Sequence, residues 1–226
     1  MMNVRIRELS IVYVISLALC ILAQWNAPIP YWLEFSYIFV LLAFLGLPFF
    51  AIRIFRQNND EDGLLRIDWS SRDAVYGLVT VLIIFIPVAL GAYLWYVHIV
   101  GGSFHFAWQN YDRLEHSVLY AISIQLLLVA LPEEFFYRNY LQGSILSLAQ
   151  KRMGAKKSAG IAIFITSLLF ALGHALVYLN PMRMNVFFPS LLFGYLRLKT
   201  KTLTACIIVH AGANLMMQGI GVHFFI

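Results

Sequence analysis

Charge is what this chain of 226 residues has least of: 12% of its side chains are Asp, Glu, Lys or Arg, against about one quarter in an ordinary soluble domain. With 61% hydrophobic residues beside it, that scarcity excludes a soluble globular protein and predicts an all-α, polytopic transmembrane helix bundle. Cysteine is almost missing. Cys20 and Cys206 both fall in apolar runs, so neither a disulfide framework nor a CxxC metal site can be argued. There is no internal repeat, no low-complexity tract and no Pro/Gly/Ser linker, so residues 1–226 read as one membrane domain. A net charge of +5 would suggest nucleic acid in a soluble chain. Here the Lys and Arg residues read as topology signals beside membrane spans, and no nucleic-acid partner is implied. Residues 1–25 carry Arg5 and Arg7 ahead of an apolar run, yet no small-x-small cleavage site follows, and the segment reads as a first, uncleaved span.

What is present is apolar length. A helix needs about 20 apolar residues to cross the hydrocarbon core, and the sequence offers spans near 8–25, 31–55, 74–100, 117–149, 159–179, 185–199 and 203–221, the sixth being short. Counted by alternate loops, 13 of the 16 basic residues fall on one side, among them Arg5, Arg7, Lys151, Arg152, Lys156 and Lys157. Arg113 and Arg183 fall on the other, and Arg138 lies within a span. The positive-inside rule therefore predicts a cytoplasmic N terminus and an odd number of spans. Residues 101–116 mix aromatics with charges, as an interfacial aromatic belt does. His98, His105, His116 and His223 lie near interfaces and receive no function.

A few ionisable groups nevertheless sit at membrane depth, where each costs roughly 2.5 to 3.5 kcal/mol on insertion scales and so calls for a partner and a purpose. The first set is Glu133-Glu134-Phe135-Phe136-Tyr137-Arg138. Pro132 suits the first turn of a helix, which predicts that Glu133 and Glu134 open a half-helix whose positive end favours carboxylates. Glu134 and Arg138 are four apart and share a face, while Glu133 points about 100° away. The pair then neutralises Arg138 and leaves Glu133 for proton transfer. Phe170-Ala171-Leu172-Gly173-His174 follows, with Gly173 small enough for a close helix approach. Last comes His210-Ala211-Gly212-Ala213-Asn214, a polar pair on one face separated by small residues. Taken singly, each histidine or asparagine is equally an interhelical hydrogen-bonding residue. Depth weighs against independent packing roles. At about 1.5 Å per residue from the basic ends, Glu133 lies roughly 25 Å deep, His174 roughly 22 Å, and His210 and Asn214 roughly 12 and 18 Å, which lets the four meet in one layer.

Glu-Glu-x-x-x-Arg, Phe-x-x-x-His and His-x-x-x-Asn, in that order and each within a membrane helix, resemble the motifs of the CPBP intramembrane protease family. That family includes CAAX prenyl endopeptidases and bacteriocin-processing or self-immunity proteins. All three motifs match over residues 133–214, within a catalytic helical core at 117–221; the N-terminal helices of residues 1–116 carry no visible resemblance. The resemblance implies an intramembrane endopeptidase in which Glu133 and His174 activate water and His210 and Asn214 stabilise the oxyanion, with Glu134, Arg138 and Phe170 in support. It implies a membrane protein or lipidated peptide as substrate, the lipid bilayer as surroundings, and a multi-pass place in a bacterial inner (plasma) membrane. No cofactor is favoured. Zinc is the alternative, but there is no His-Glu-x-x-His motif, and its three protein ligands would come from Glu133, Glu134, His174 and His210 on three helices.

Two rival functions use the same residues. Intramembrane Glu, His and Arg also build the proton relays of ion-coupled transporters, although two matching halves, common in transporters, are missing here. A non-catalytic immunity or scaffold protein would keep the cluster for packing alone. A di-iron bundle is disfavoured by the lack of a Glu-x-x-His motif. The depth arithmetic suits substrates presented from the outer leaflet.

Overall fold

The computed structural model describes residues 2–25, 32–56, 63–95, 98–99 and 118–224. Seven helices and no strand occur among them. In hydrocarbon every backbone N–H and C=O must be satisfied within its own segment, which is why these apolar runs become helices whatever their β-branched content. Helix α1 is Met2–Trp25. Helix α2 joins Trp32–Leu41 and Leu47–Phe55 through the wide turn Leu42–Gly46. Helix α3 is Ser71–Trp95. Helix α4 is helical without a break from Val118 to Gln150, and includes wide turns at Ile124–Ala130 and Phe135–Gln142. Helix α5 is Ala155–Val177, α6 is Phe187–Thr200 and α7 is Thr204–Phe224. Asn3–Trp25, Ser36–Phe55, Ser71–Trp95, Leu119–Gln150 and Ala155–Val177 are long and apolar enough to cross a membrane. The chain is a multi-pass membrane protein. At 14 residues, or about 21 Å, α6 is the short helix that the sequence predicts. The aromatic segment 101–116, with Arg113, His105 and His116, lies outside the described residues.

Pro132 behaves differently from expectation. It opens no half-helix: Leu131 on one side and Glu134 on the other keep right-handed helical angles, and Glu133 and Glu134 lie inside a continuous helix. Proline lacks an N–H, and its ring presses on the carbonyl four residues back, which breaks an ordinary helix. Here the preceding turn is widened, and the Leu131 N–H reaches back five residues to the Leu126 carbonyl. A single extra residue in the turn gives the ring room. The same device recurs in α2, where the Leu47 N–H bonds to the Leu42 carbonyl immediately before Pro48.

The helices group into two compact units. The first, residues 1–68 and 132–203, is packed around Val12, Phe44, Phe136, Tyr137, Tyr140 and Phe170. Its α1 is tied down by a buried ion pair that composition gave no hint of. Glu8 is fully buried and receives the Arg56 Nε at 2.9 and 3.0 Å and the Tyr140 hydroxyl at 2.8 Å. Arg56 also donates to Ser144 Oγ at 3.0 Å. Arg56 is thus the partner of a membrane-end carboxylate rather than a free loop cation. In the second unit, residues 69–131 and 204–226, α3 packs on α7. A Cβ at Gly212 would come within 2.9 Å of Val81, so only glycine allows this approach.

Candidate active site

In the first unit, α4 and α5 bring Glu133 and His174 face to face. Glu133 Oε2 lies 4.0 Å from His174 Nε2, and the two side chains keep 14% and 21% of their surface exposed. The other imidazole nitrogen, Nδ1, is 3.1 Å from the Phe170 carbonyl oxygen. A carbonyl only accepts, so Nδ1 carries the proton, and a neutral His174 turns the lone pair of Nε2 towards Glu133. The separation of 4.0 Å is too long for a direct hydrogen bond. It fits a water about 2.8 Å from each atom.

Phe170, one turn before His174, supports the imidazole with its ring as well as its carbonyl, the two ring centroids being 4.4 Å apart. Tyr178, one turn after, stacks on the other side at 6.4 Å and lies under the Arg183 guanidinium, 4.0 Å from the ring centroid. Desolvation of the half-covered Tyr178 phenol raises its pKa, the Glu133 charge adds to the rise, and Arg183 opposes it. Gly173 is required beside His174, because a Cβ there would sit 2.9 Å from Tyr137 Oη.

Below the pair, Glu134 and Arg138 are joined as their spacing predicts, Arg138 Nε to Glu134 Oε2 at 3.0 Å, with neither side chain exposed. Arg138 Nη2 donates to Ser190 Oγ of α6 at 2.9 Å. The guanidinium carbon lies 5.4 and 5.7 Å from the ring centroids of Phe170 and Phe193. Phe170 therefore touches both the ion pair and His174. The wide turn Phe135–Gln142 is held by further polar contacts: Asn139 donates to the Arg66 carbonyl and accepts from Arg197 Nε, and Gln142 donates to the Gly194 carbonyl. Ser190, Asn139 and Gln142 escape the sequence reading because their partners are backbone groups or lie on other elements.

The second unit carries His210 and Asn214 on α7. His210 is 3% exposed. Asn214 Nδ2 donates to Gln125 Oε1 of α4 at 3.0 Å. Gln125 was missed, although a lone amide in the run Ile124–Ala130 is itself a membrane-depth polar group and could have been flagged on that ground. Among the described residues no three His, Cys, Asp or Glu side chains gather closely enough to hold a metal ion. Glu133 and His174 offer two donors, and Glu134 is tied to Arg138.

A multi-pass helical protein with a carboxylate and an imidazole converging inside its membrane helices has the makings of an intramembrane hydrolase. Residues 115–216 match the family model described as type II CAAX prenyl endopeptidase Rce1-like. Over these residues, a little under half of the chain, the protein is similar to CAAX-type intramembrane proteases. No curated protein and no solved structure matches the chain.

Proposed function

We propose that the protein is an intramembrane endopeptidase that cleaves a peptide bond of a membrane-anchored or lipidated protein with water activated by Glu133 and His174. The observation that carries this reading is the 4.0 Å gap between Glu133 Oε2 and His174 Nε2, with the tautomer of His174 fixed by the Phe170 carbonyl. A water in that gap donates one proton to each group and turns an oxygen lone pair outward. Glu133 takes the proton as the oxygen attacks the peptide carbonyl, and returns it to the departing amine as the tetrahedral intermediate collapses. The carbonyl oxygen becomes an oxyanion, a charge that hydrogen-bond donors stabilise. The ion pair Glu134–Arg138 and Phe170 hold the reacting groups in register. A catalytic zinc would take three ligands from the protein, and the mechanism proposed here routes no step through a metal.

The test compares the termini of membrane and secreted proteins in cells carrying the wild type with those in cells carrying equally expressed Glu133→Gln or His174→Ala. Uncleaved precursors in both variants are expected, and they name the substrate. Normal cleavage in both would refute the mechanism and turn attention to ion-coupled transport or a packing role.

A further inference from the structure

In the first unit, α1, α4 and α5 enclose an open, apolar groove of about 520 Å³, lined by residues that include Ile6, Leu9, Tyr13, Leu148, Leu169 and Arg152. It extends from Ile6 to Val14 on α1 and from Leu141 to Ala149 on α4, with Arg152 just past the end of α4, and at 1.5 Å per residue each helical stretch is about 12 Å. Half the hydrocarbon thickness of a bilayer is about 15 Å. The groove is therefore one leaflet deep. At its deep end the Tyr13 hydroxyl donates to the Leu169 carbonyl at 2.8 Å, so the phenol's polar tip is engaged and the surface facing the groove is apolar.

The shallow end is basic. Arg152 is exposed at the mouth, and Arg5 donates to Ser147 Oγ at 3.2 Å beside it. Arg7, Lys151, Lys156 and Lys157 are exposed at the same ends of these three helices. One acidic residue, Glu8, lies among them, but it is fully buried and engaged by Arg56 and Tyr140. A groove in hydrocarbon is filled by an apolar chain, and a cation cluster at its mouth selects an anionic headgroup.

We propose that this groove is a binding site for an anionic phospholipid, with one acyl chain along α1, α4 and α5 and the phosphate at Arg152. The site is separate from the Glu133–His174 pair and does not depend on the protease reading.

Native mass spectrometry of the detergent-purified full chain tests it, with dioleoyl phosphatidylglycerol and dioleoyl phosphatidylcholine titrated in turn. The wild type retains phosphatidylglycerol in preference to phosphatidylcholine. Arg152→Gln lowers phosphatidylglycerol retention about fivefold, the factor that corresponds to about 1 kcal/mol for one basic residue at an anionic lipid. Arg152→Lys keeps the preference. Ser10→Trp, placed in the groove wall without altering charge, reduces retention of both lipids; Ser10→Phe replaces it should the larger ring prevent folding. Equal retention of the two lipids by the wild type overturns the proposal. So does a loss in Arg152→Gln without one in Ser10→Trp or Ser10→Phe, which would mean headgroup binding with no chain in the groove, and so does the reverse. A dimer without lipid adducts that Ser10→Trp dissociates would make a second copy of the chain the occupant and overturn it equally.

Discussion

Replacing Glu134 by glutamine removes the charge from one half of a pair in which neither side chain is exposed, and leaves Arg138 with Ser190 as its hydrogen-bonding partner on α6. Breaking a buried ion pair from one side costs about 3–5 kcal/mol, because the remaining charge stays desolvated. At roughly 2–4 °C per kcal/mol for a chain of this size, Tm falls on the order of 10 °C. The neighbouring Glu133→Gln behaves oppositely. Its carboxylate is part-exposed and lies 4.0 Å from His174, so an amide of the same shape costs under about 1 kcal/mol of stability, while loss of a general base lowers cleavage by about 10²–10⁴. Thermal unfolding in detergent, paired with precursor processing in membranes, separates the two adjacent glutamates. The double variant Glu134→Leu with Arg138→Met should recover most of the stability that Glu134→Gln loses, since buried pairs are often replaceable by apolar residues of similar volume. Equal Tm values for Glu134→Gln and Glu133→Gln would refute the division of labour between the two residues.

The remaining predictions concern contacts that hold the site. Gly173→Ala forces a methyl to within 2.9 Å of Tyr137 Oη and costs about 1–3 kcal/mol as overpacking; adding Tyr137→Phe removes the hydroxyl and restores most of it, read by thermal unfolding. Glu8→Gln costs about 3 kcal/mol because Arg56 is 5% exposed. Asp68→Ala, which breaks the exposed Arg66–Asp68 pair, costs under about 1 kcal/mol, and urea or thermal unfolding of the two variants should rank them so. Asn214→Leu leaves the Gln125 amide buried without its partner and costs about 1–3 kcal/mol; Gln125→Leu with Asn214→Leu is closer to neutral, checked by a double-mutant cycle.

Much of the architecture was legible in the sequence because each helix is decided locally, by an apolar run in a solvent that offers no hydrogen bonds. The Glu134–Arg138 pair was legible for the same reason, its partners being one turn apart. Pro132 was misread. Its local signal is a helix start, and only the wide turn at Ile124–Ala130 shows how the helix continues through it. By its position alone Arg56 reads as a loop charge, and only tertiary packing sets Glu8, 48 positions earlier, beside it.

The sequence by itself therefore determined the class of solvent, the helical runs, and which polar residues stand at membrane depth. Tertiary structure alone decided the 4.0 Å approach of His174 to Glu133, the pairing of Asn214 with Gln125, and the network of Glu8, Arg56 and Tyr140. The division has one physical cause. Hydrophobic length and i, i+4 spacing act within a helix, whereas the partner of a buried polar group is set by which helices pack together, and that depends on close contacts such as Gly173 against Tyr137 that no single segment encodes.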